Sequence, residues 1–242
     1  MPNKTFKNFG ESDAVILCGG LGERMRNVIK NKPKSMADIN GRPFLDILID
    51  YVSGFGVKRI VLCTGHQSES IKDYYTNKEC LQEIVFSNEE TPLGTGGAIK
   101  NAEKLIKSRS FLVINGDSHC PVNLQKFYEF HLRNDAVVSM VILEAESSMD
   151  YGIVTLDASQ KVVSFEEKRE NLGEPFINSG IYFFERDVLA LIPTSLKYSL
   201  EYELFPKLIG KGFYGYKTQK KLIDIGTPKR YELAKCFLKV HS

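Results

Sequence analysis

The sequence predicts an α/β fold: a mostly parallel sheet covered by helices on both faces. Three observations predict it. Short apolar runs alternate with segments of helical spacing through residues 14–143, and two glycine-rich turns, at 19–22 and 94–97, interrupt that alternation. From residue 151 the runs shorten and take on a more antiparallel texture. In sheets of this kind ligands bind beyond the carboxyl ends of the strands.

The first run, Ala14-Val15-Ile16-Leu17-Cys18, is apolar throughout, as a strand buried on both faces is. It meets Gly19, Gly20 and Gly22, and then five cations within eleven residues: Arg24, Arg26, Lys30, Lys32 and Lys34. Glycine lets backbone N–H groups approach an anion closely, and successive N–H groups form a concavity suited to phosphate. Three glycines alone describe an ordinary turn, and five cations alone a solvated charge run. Their coincidence directly after a strand favours a nucleotide phosphate site.

Residues 43–54 place Leu45, Leu48, Ile49 and Val52 at helical spacing, with Gly54 and Gly56 as the stop. A buried strand follows at 58–63, a helix at 66–75 through Ile71, Tyr74 and Tyr75, and a short strand at 83–87. The second turn, Thr91-Pro92-Leu93-Gly94-Thr95-Gly96-Gly97, opens a helix with Ala98, Ile99, Ala102, Leu105 and Ile106 on one face. The strand 111–114 stops at Asn115-Gly116-Asp117, so both turns and Asp117 sit where strands end and face one cleft. A helix over 124–132, capped by Asn123, precedes a strand at 136–143. Short strands at 152–156, 162–167 and 178–184, helices near 188–192 and 202–209, strands at 213–217 and 222–224, and a helix over 230–237 complete the chain. With no repeat and no linker rich in Gly, Pro or Ser, residues 1–242 read as one domain. Its halves are a nucleotide-binding part, 13–143, and a substrate part, 144–242.

Composition narrows the function classes. The 242 residues are 43% hydrophobic and carry a formal charge of +2, so general affinity for nucleic acid is not indicated and any phosphate affinity must be local. Five cysteines, odd in number and without a CxxC pair, indicate neither zinc nor redox chemistry and suit a reducing cytoplasm. The N-terminal MPNKTFKNFGES lacks the apolar core of a signal peptide, and no apolar run approaches a membrane span. A cytoplasmic protein without nucleic-acid or membrane partners is expected, and a homo-oligomer is compatible with the sequence.

Several motifs are absent. Met25 stands where a dinucleotide GxGxxG continues, and GxxxxGK[ST] and GxSxG do not occur. His66, His119, His131 and His241 show no metal spacing; His119 lies two residues from Asp117, but a packing role outweighs a site role. Taken singly, Asp117 and Asp224 are turn or cap residues, Glu166-Glu167-Lys168-Arg169 a charge run, and Asn178-Ser179-Gly180 a strand-edge turn.

Together, LCGGLGERMR…KPK, PLGTGGAIKNA, INGDS, YGIV…VVSFEEK, INSGIYFF and IDIGTPKRY resemble, in order and spacing, the sugar-1-phosphate nucleotidyltransferases. NGRPFLDILIDY and SLEYELFPKL make the likeness greatest to the D-glycero-D-manno-heptose 1-phosphate guanylyltransferases within that family. The resemblance implies a Rossmann-like, GT-A-like three-layer fold with a small antiparallel extension on the substrate side. It implies that a sugar 1-phosphate attacks the α-phosphate of a nucleoside triphosphate, GTP by the subfamily likeness, and expels pyrophosphate. By motif, Leu17, Gly19, Gly20, Gly22, Pro92, Gly94, Thr95 and Asn115 bind nucleotide, and Arg24 and Lys34 neutralise the phosphates, leaving Arg26, Lys30 and Lys32 as surface charges. Asp117 and Asp224 match the Mg²⁺-binding aspartates, while Gly152, Glu167, Lys168, Asn178 and Gly180 match the sugar-phosphate side. Lys168 joins Arg24, Lys34 and Asp117 in the catalytic set.

The charges suit that chemistry. Two unit charges ~4 Å apart interact by about 4 kcal/mol at an effective dielectric near 20, so two reacting anions need cations between them. The nucleophile is already ionised, so no general base is required. The family loop reads GGxGTRL, whereas Glu23 and Met25 stand here in place of threonine and leucine. Glu23 therefore points outward, pairs with Arg26, or weakens triphosphate binding. Alternatives within the class are a uridylyl-, cytidylyl- or thymidylyltransferase or a mannose-1-phosphate guanylyltransferase. The alternative outside it is a catalytically silent nucleotide-sugar-binding subunit, for which Glu23 is the hint. The chain after Asp224 is too short for the β-helical acyltransferase domain of some members.

Overall fold

A computed structural model describes residues 8–20, 22–29, 32–144, 150–167 and 176–238. The first half runs β1 (Ala14–Leu17), β2 (Asp38–Ile39), β3 (Arg42–Pro43), α1 (Phe44–Ser53), β4 (Arg59–Thr64), α2 (Ser68–Thr76), β5 (Glu83–Asn88), α3 (Gly94–Asn101), β6 (Ser110–Asn115), β7 (Ser118–His119), α4 (Leu124–Arg133) and β8 (Val138–Glu144). The second runs β9 (Gly152–Leu156), β10 (Val162–Glu167), β11 (Phe176–Glu185), α5 (Phe205–Leu208), β12 (Phe213–Thr218), β13 (Ile223–Asp224) and α6 (Pro228–Phe237).

Among the described residues nine strands form one sheet. Its main path is β10-β9-β11-β6-β1-β4-β5, with β8 on the other edge of β11 and β12 beyond β8. The apolar β1 lies between parallel β4 and β6, and β5 extends the parallel set. Ala14 and Ile16 face a layer containing Phe44, Leu48, Phe127 and Tyr231, while Val15 faces Ile99, Phe184 and Phe205. That alternation is the period of two expected of a strand between two layers. Phe183 anchors the first layer, its ring 5.4 Å from Phe9, 5.0 Å from Phe127 and 5.1 Å from Tyr128.

The antiparallel strands of the second half are hydrogen-bonded into this same sheet. The cause is β11, which changes neighbour along its length: Phe176 and Ile177 pair with β9, and Ile181 to Glu185 pair with β6. Its pairing with β8 shifts register between Asn178 and Tyr182. Gly180, at φ +80°, sits in that interval, where an L side chain is strained.

Other differences have local causes. Helix α2 begins at Ser68, two residues later than expected, because Gln67 holds a left-handed φ of +59°. Helix α3 stops at Asn101, yet Ile106 is still buried by the turns that follow. The helix expected at 188–192 is a 3₁₀ segment, Arg186–Leu191. That expected at 202–209 is a π-turn, Leu200–Leu204, running into short α5; Ser199 Oγ caps it by accepting from the N–H groups of Glu201 and Tyr202. The two-residue pair β7–β13, too short to show a period, sets Asp224 opposite Ser118. Among the described residues no helix is long and apolar enough to cross a membrane.

Candidate active site

The carboxyl ends of β1 and β6 open into a cleft of about 280 Å³. Leu17 and Asn115 are direct neighbours in the β1–β6 register. Beyond them the cleft wall is built by Gly19, Gly20, Lys34, Pro92, Gly94, Thr95 and Asp117. The two turns and the strand-end aspartate, scattered over a hundred residues of sequence, therefore converge as expected. Lys34 enters on a 3₁₀ turn, Lys34–Met36, and its ammonium forms an ion pair with Asp117. Asn115 Oδ1 is a buried acceptor without a hydrogen-bond partner among the described residues.

The two turns do different work. The N–H groups of Gly96 and Gly97 both donate to Tyr198 O, at 2.9 and 3.0 Å, so the second turn is not an anion cradle. The Thr95 hydroxyl donates to Glu201 Oε2 at 2.7 Å and accepts from Leu200 N at 2.9 Å, which commits it to the fold. Gly22 lines a second cavity of about 350 Å³ that shares Gly20 and Lys34 with the cleft, and its wall includes Arg26, Lys32 and His66. Arg26 and Lys32 thus border a cavity as well as solvent. Lys30 lies outside the described residues.

Glu23 points outward and lies 4.0 Å from Arg26, both side chains being largely exposed. Arg24 is also exposed and reaches Asp150, Nη1 to Oδ1 3.2 Å.

The cleft holds residues the motifs did not point to. Glu89 follows β5 and accepts from Leu93 N at 3.1 Å through Oε2. Its other oxygen lies where a side chain on Gly19 or Gly65 would have to go, a built Cβ falling 2.9 and 2.7 Å away respectively. Glycine at 19 lets the first turn approach this carboxyl without displacing it. Burial raises the Glu89 pKa, with the Leu93 N–H opposing. The available signal was an acidic pair immediately ahead of a glycine turn. Lys197 brings a further cation to the cleft wall.

In the second half, Gly152 and Glu167 face each other across β9 and β10, and a Cβ on Gly152 would lie 2.9 Å from Glu167 Oε2. Lys168 lies outside the described residues. Asn178 is buried; its amide donates to the Tyr182 hydroxyl at 2.7 Å and its oxygen accepts from Gly180 N at 3.0 Å, so it shapes the β11 irregularity. Gly180 packs against Asn115, a built Cβ coming 2.7 Å from Nδ2.

Asp117 and Asp224 are brought together: Ile225 N donates to Asp117 O at 3.0 Å beside the β7–β13 pair. Asp224 accepts from Gly226 N at 2.8 Å, from Arg230 Nη1 at 3.4 Å and from the Tyr151 hydroxyl. Among the described residues no group of three or more His, Cys, Asp or Glu gathers as a ready metal cage. Asp117, immediately before β7, and Asp224, in its partner strand β13, nevertheless offer the donor set that suits Mg²⁺, which takes one or two carboxylates and completes its shell with phosphate oxygens and water.

Two neighbours of the cleft are structural. Burial pushes the Cys18 thiol up to about 12, which keeps it protonated and inert. His119 packs edge-on against Tyr51, ring centroids 4.9 Å apart, and burial lowers its pKa to about 4. The packing role expected for it is the one its surroundings describe.

Known proteins resemble the chain in sequence and in fold. The D-glycero-alpha-D-manno-heptose 1-phosphate guanylyltransferase of Aneurinibacillus thermoaerophilus is 35% identical over 224 residues, covering 92% of this chain and 96% of the relative. The enzyme of the same description from Campylobacter jejuni is 35% identical over 223 residues, 90% of this chain and 96% of its own. HddC from Yersinia pseudotuberculosis, solved alone and complexed with GMP-PN, superposes with a TM-score of 0.83 at 37% identity, over 94% of this chain and all of that one. The profile of the nucleotidyl transferase family matches residues 13–240, and the chain belongs to that family.

Proposed function

We propose that the protein transfers the guanylyl group of GTP to D-glycero-α-D-manno-heptose 1-phosphate, giving the GDP-sugar and pyrophosphate. The convergence of both glycine turns, Lys34 and Asp117 on one cleft carries the reading, and the likeness to heptose 1-phosphate guanylyltransferases supports the substrates. Residues 13–143 hold the nucleotide and 144–242 the sugar phosphate. The Glu89 carboxyl favours guanine, whose N1–H and exocyclic N2–H₂ form a pair of donors for one acceptor group.

A phosphate oxygen of the sugar 1-phosphate attacks the α-phosphorus, the bond to the bridging α,β-oxygen breaks, and pyrophosphate carries away the electron pair. The N–H groups of the first turn cradle the triphosphate, while Arg24 and Lys34 neutralise it. Asp117 orients Lys34 through their ion pair. Such donors act by preorganisation, standing in place before charge moves. Mg²⁺ held by Asp117 and Asp224 would neutralise phosphate charge and help align the reacting groups. Gly152, Glu167, Lys168, Asn178 and Gly180 form the sugar side, with Lys168 meeting its phosphate. The five unpaired thiols suit a reducing cytoplasm.

The test is pyrophosphate release from five nucleoside triphosphates against a panel of sugar 1-phosphates, with Mg²⁺ and with EDTA. GTP with the heptose 1-phosphate should be the best pair, and Asp117→Ala should abolish turnover without unfolding. Folded protein that is inactive across the panel would end the proposal.

A further inference from the structure

Arg24 and Asp224 are each held by a partner outside the glycine turn. Arg24 Nη1 lies 3.2 Å from Asp150 Oδ1. The other oxygen of that carboxylate, Oδ2, binds Arg230 Nη2, and Nη1 of the same guanidinium reaches Asp224 Oδ1 at 3.4 Å. The Tyr151 ring lies 4.9 Å from the Arg230 guanidinium, and its hydroxyl donates to Asp224. The result is a chain of alternating charge, Arg24–Asp150–Arg230–Asp224, linking the first turn, the residues just before β9 and the start of α6. At one end an anion occupies Arg24. At the other a cation occupies Asp224.

We propose that Asp150 and Arg230 are positioning residues that form an exchangeable ionic latch, holding Arg24 and Asp224 with charges of the same sign as the triphosphate and the metal ion that displace them. The proposal rests on the reading of Arg24 as a triphosphate contact and Asp224 as a metal ligand. The latch orients both groups in the ligand-free protein and keeps two arginines from facing each other without a counterion. It also competes with the ligands. The Arg24 side chain is 56% exposed and that of Asp150 35%, and ion pairs so open to water change an equilibrium constant by only about two- to fivefold. That is weak enough to exchange and large enough to measure. A purely structural pair would leave nucleotide affinity unmoved.

Calorimetric titration of GTP, without sugar phosphate and in either EDTA or excess Mg²⁺, separates the outcomes. Asp150→Asn should tighten GTP binding in EDTA by about two- to fivefold. Glu23→Gln removes a carboxylate that contacts Arg26 instead of Arg24, and should change affinity less. Arg230→Gln takes away a positive charge, which by itself weakens anion binding with and without metal. Release of Asp224 should nonetheless raise the ratio of affinity in Mg²⁺ to affinity in EDTA, again about two- to fivefold. Arg230→Lys shortens the two-pronged contact, keeps the charge, and carries the same ratio test if the glutamine variant does not fold. Unchanged or weaker binding by Asp150→Asn, an equal gain in Glu23→Gln, or an unchanged or lowered metal ratio at position 230 would overturn the latch. Failure of the unaltered protein to bind GTP even in Mg²⁺ would overturn the nucleotide reading with it; binding without these shifts removes the latch alone.

Discussion

Under the proposed guanylyl transfer, Glu89, which lines the cleft, is the residue assigned to base choice. Glu89→Gln keeps an oxygen for Leu93 N and replaces the other acceptor with a donor, which opposes guanine's own donors. The expected outcome is a fall in kcat/KM for GTP of about 10- to 100-fold, the size of one lost charged hydrogen bond. With ITP, which lacks the 2-amino group, the loss should be smaller; equal losses for both would make Glu89 a mere brace for the 91–94 turn. His119 supplies a pH-dependent term of a different kind. Its folded pKa, about 4, lies below the ordinary value near 6.5 because the ring is buried. As pH falls the unfolded chain takes up that proton first, so stability drops through the window from about 6.5 to 4. By pH 5 the loss is about 2 kcal/mol. Urea midpoints at pH 7 and pH 5 should move apart in the unaltered protein and less in His119→Phe, which keeps a ring against Tyr51. An equal shift in both would assign the acid sensitivity to other groups.

At the scale of elements, β11 joins the halves. Phe183→Ala at its centre removes a ring packed against Phe9, Phe127 and Tyr128 and should cost about 3–5 kcal/mol, measured by chemical denaturation. Such strands were legible in advance where pattern and punctuation agreed. Strands β9 and β10 fall on the expected residues, 152–156 and 162–167, because the turn 157–160 separates two alternating runs. Helix α4 was legible from its apolar spacing and from Asn123, whose side chain accepts from Lys126 N. The π-turn before α5 was not, since helical spacing does not distinguish a wide turn from a regular one and Ser199 acts through a local cap. Nor did the sequence disclose that β11 pairs with both β9 and β6, a fact of distant pairing.

For the whole molecule, one sheet shared by both halves implies one cooperative unit. Equilibrium unfolding followed by tyrosine fluorescence and by far-UV circular dichroism should give coincident transitions. Separated curves would mean that 13–143 and 144–242 unfold independently. The cleft was readable to a similar depth as the sheet: glycines and an acid at strand ends are local signals, and they indicated Gly19, Gly20, Pro92, Gly94, Asn115 and Asp117. Lys197, Asp150 and Arg230 enter through contacts between segments far apart in sequence, which no spacing rule reports.

Strand β11 also acts as a ruler. Phe176 and Ile177 lie beside the strand that carries Gly152, and Gly180 packs against Asn115 at the cleft wall. The four steps from 176 to 180, ending at the left-handed Gly180, fix the separation of these two places along one continuous backbone. The spacing between the β9 edge and the Asn115 end of the cleft is then graduated in peptide units, with no mobile joint needed to set it. Deleting one residue between 176 and 180 would shift the gauge by a full graduation and turn alternate side chains to the wrong face.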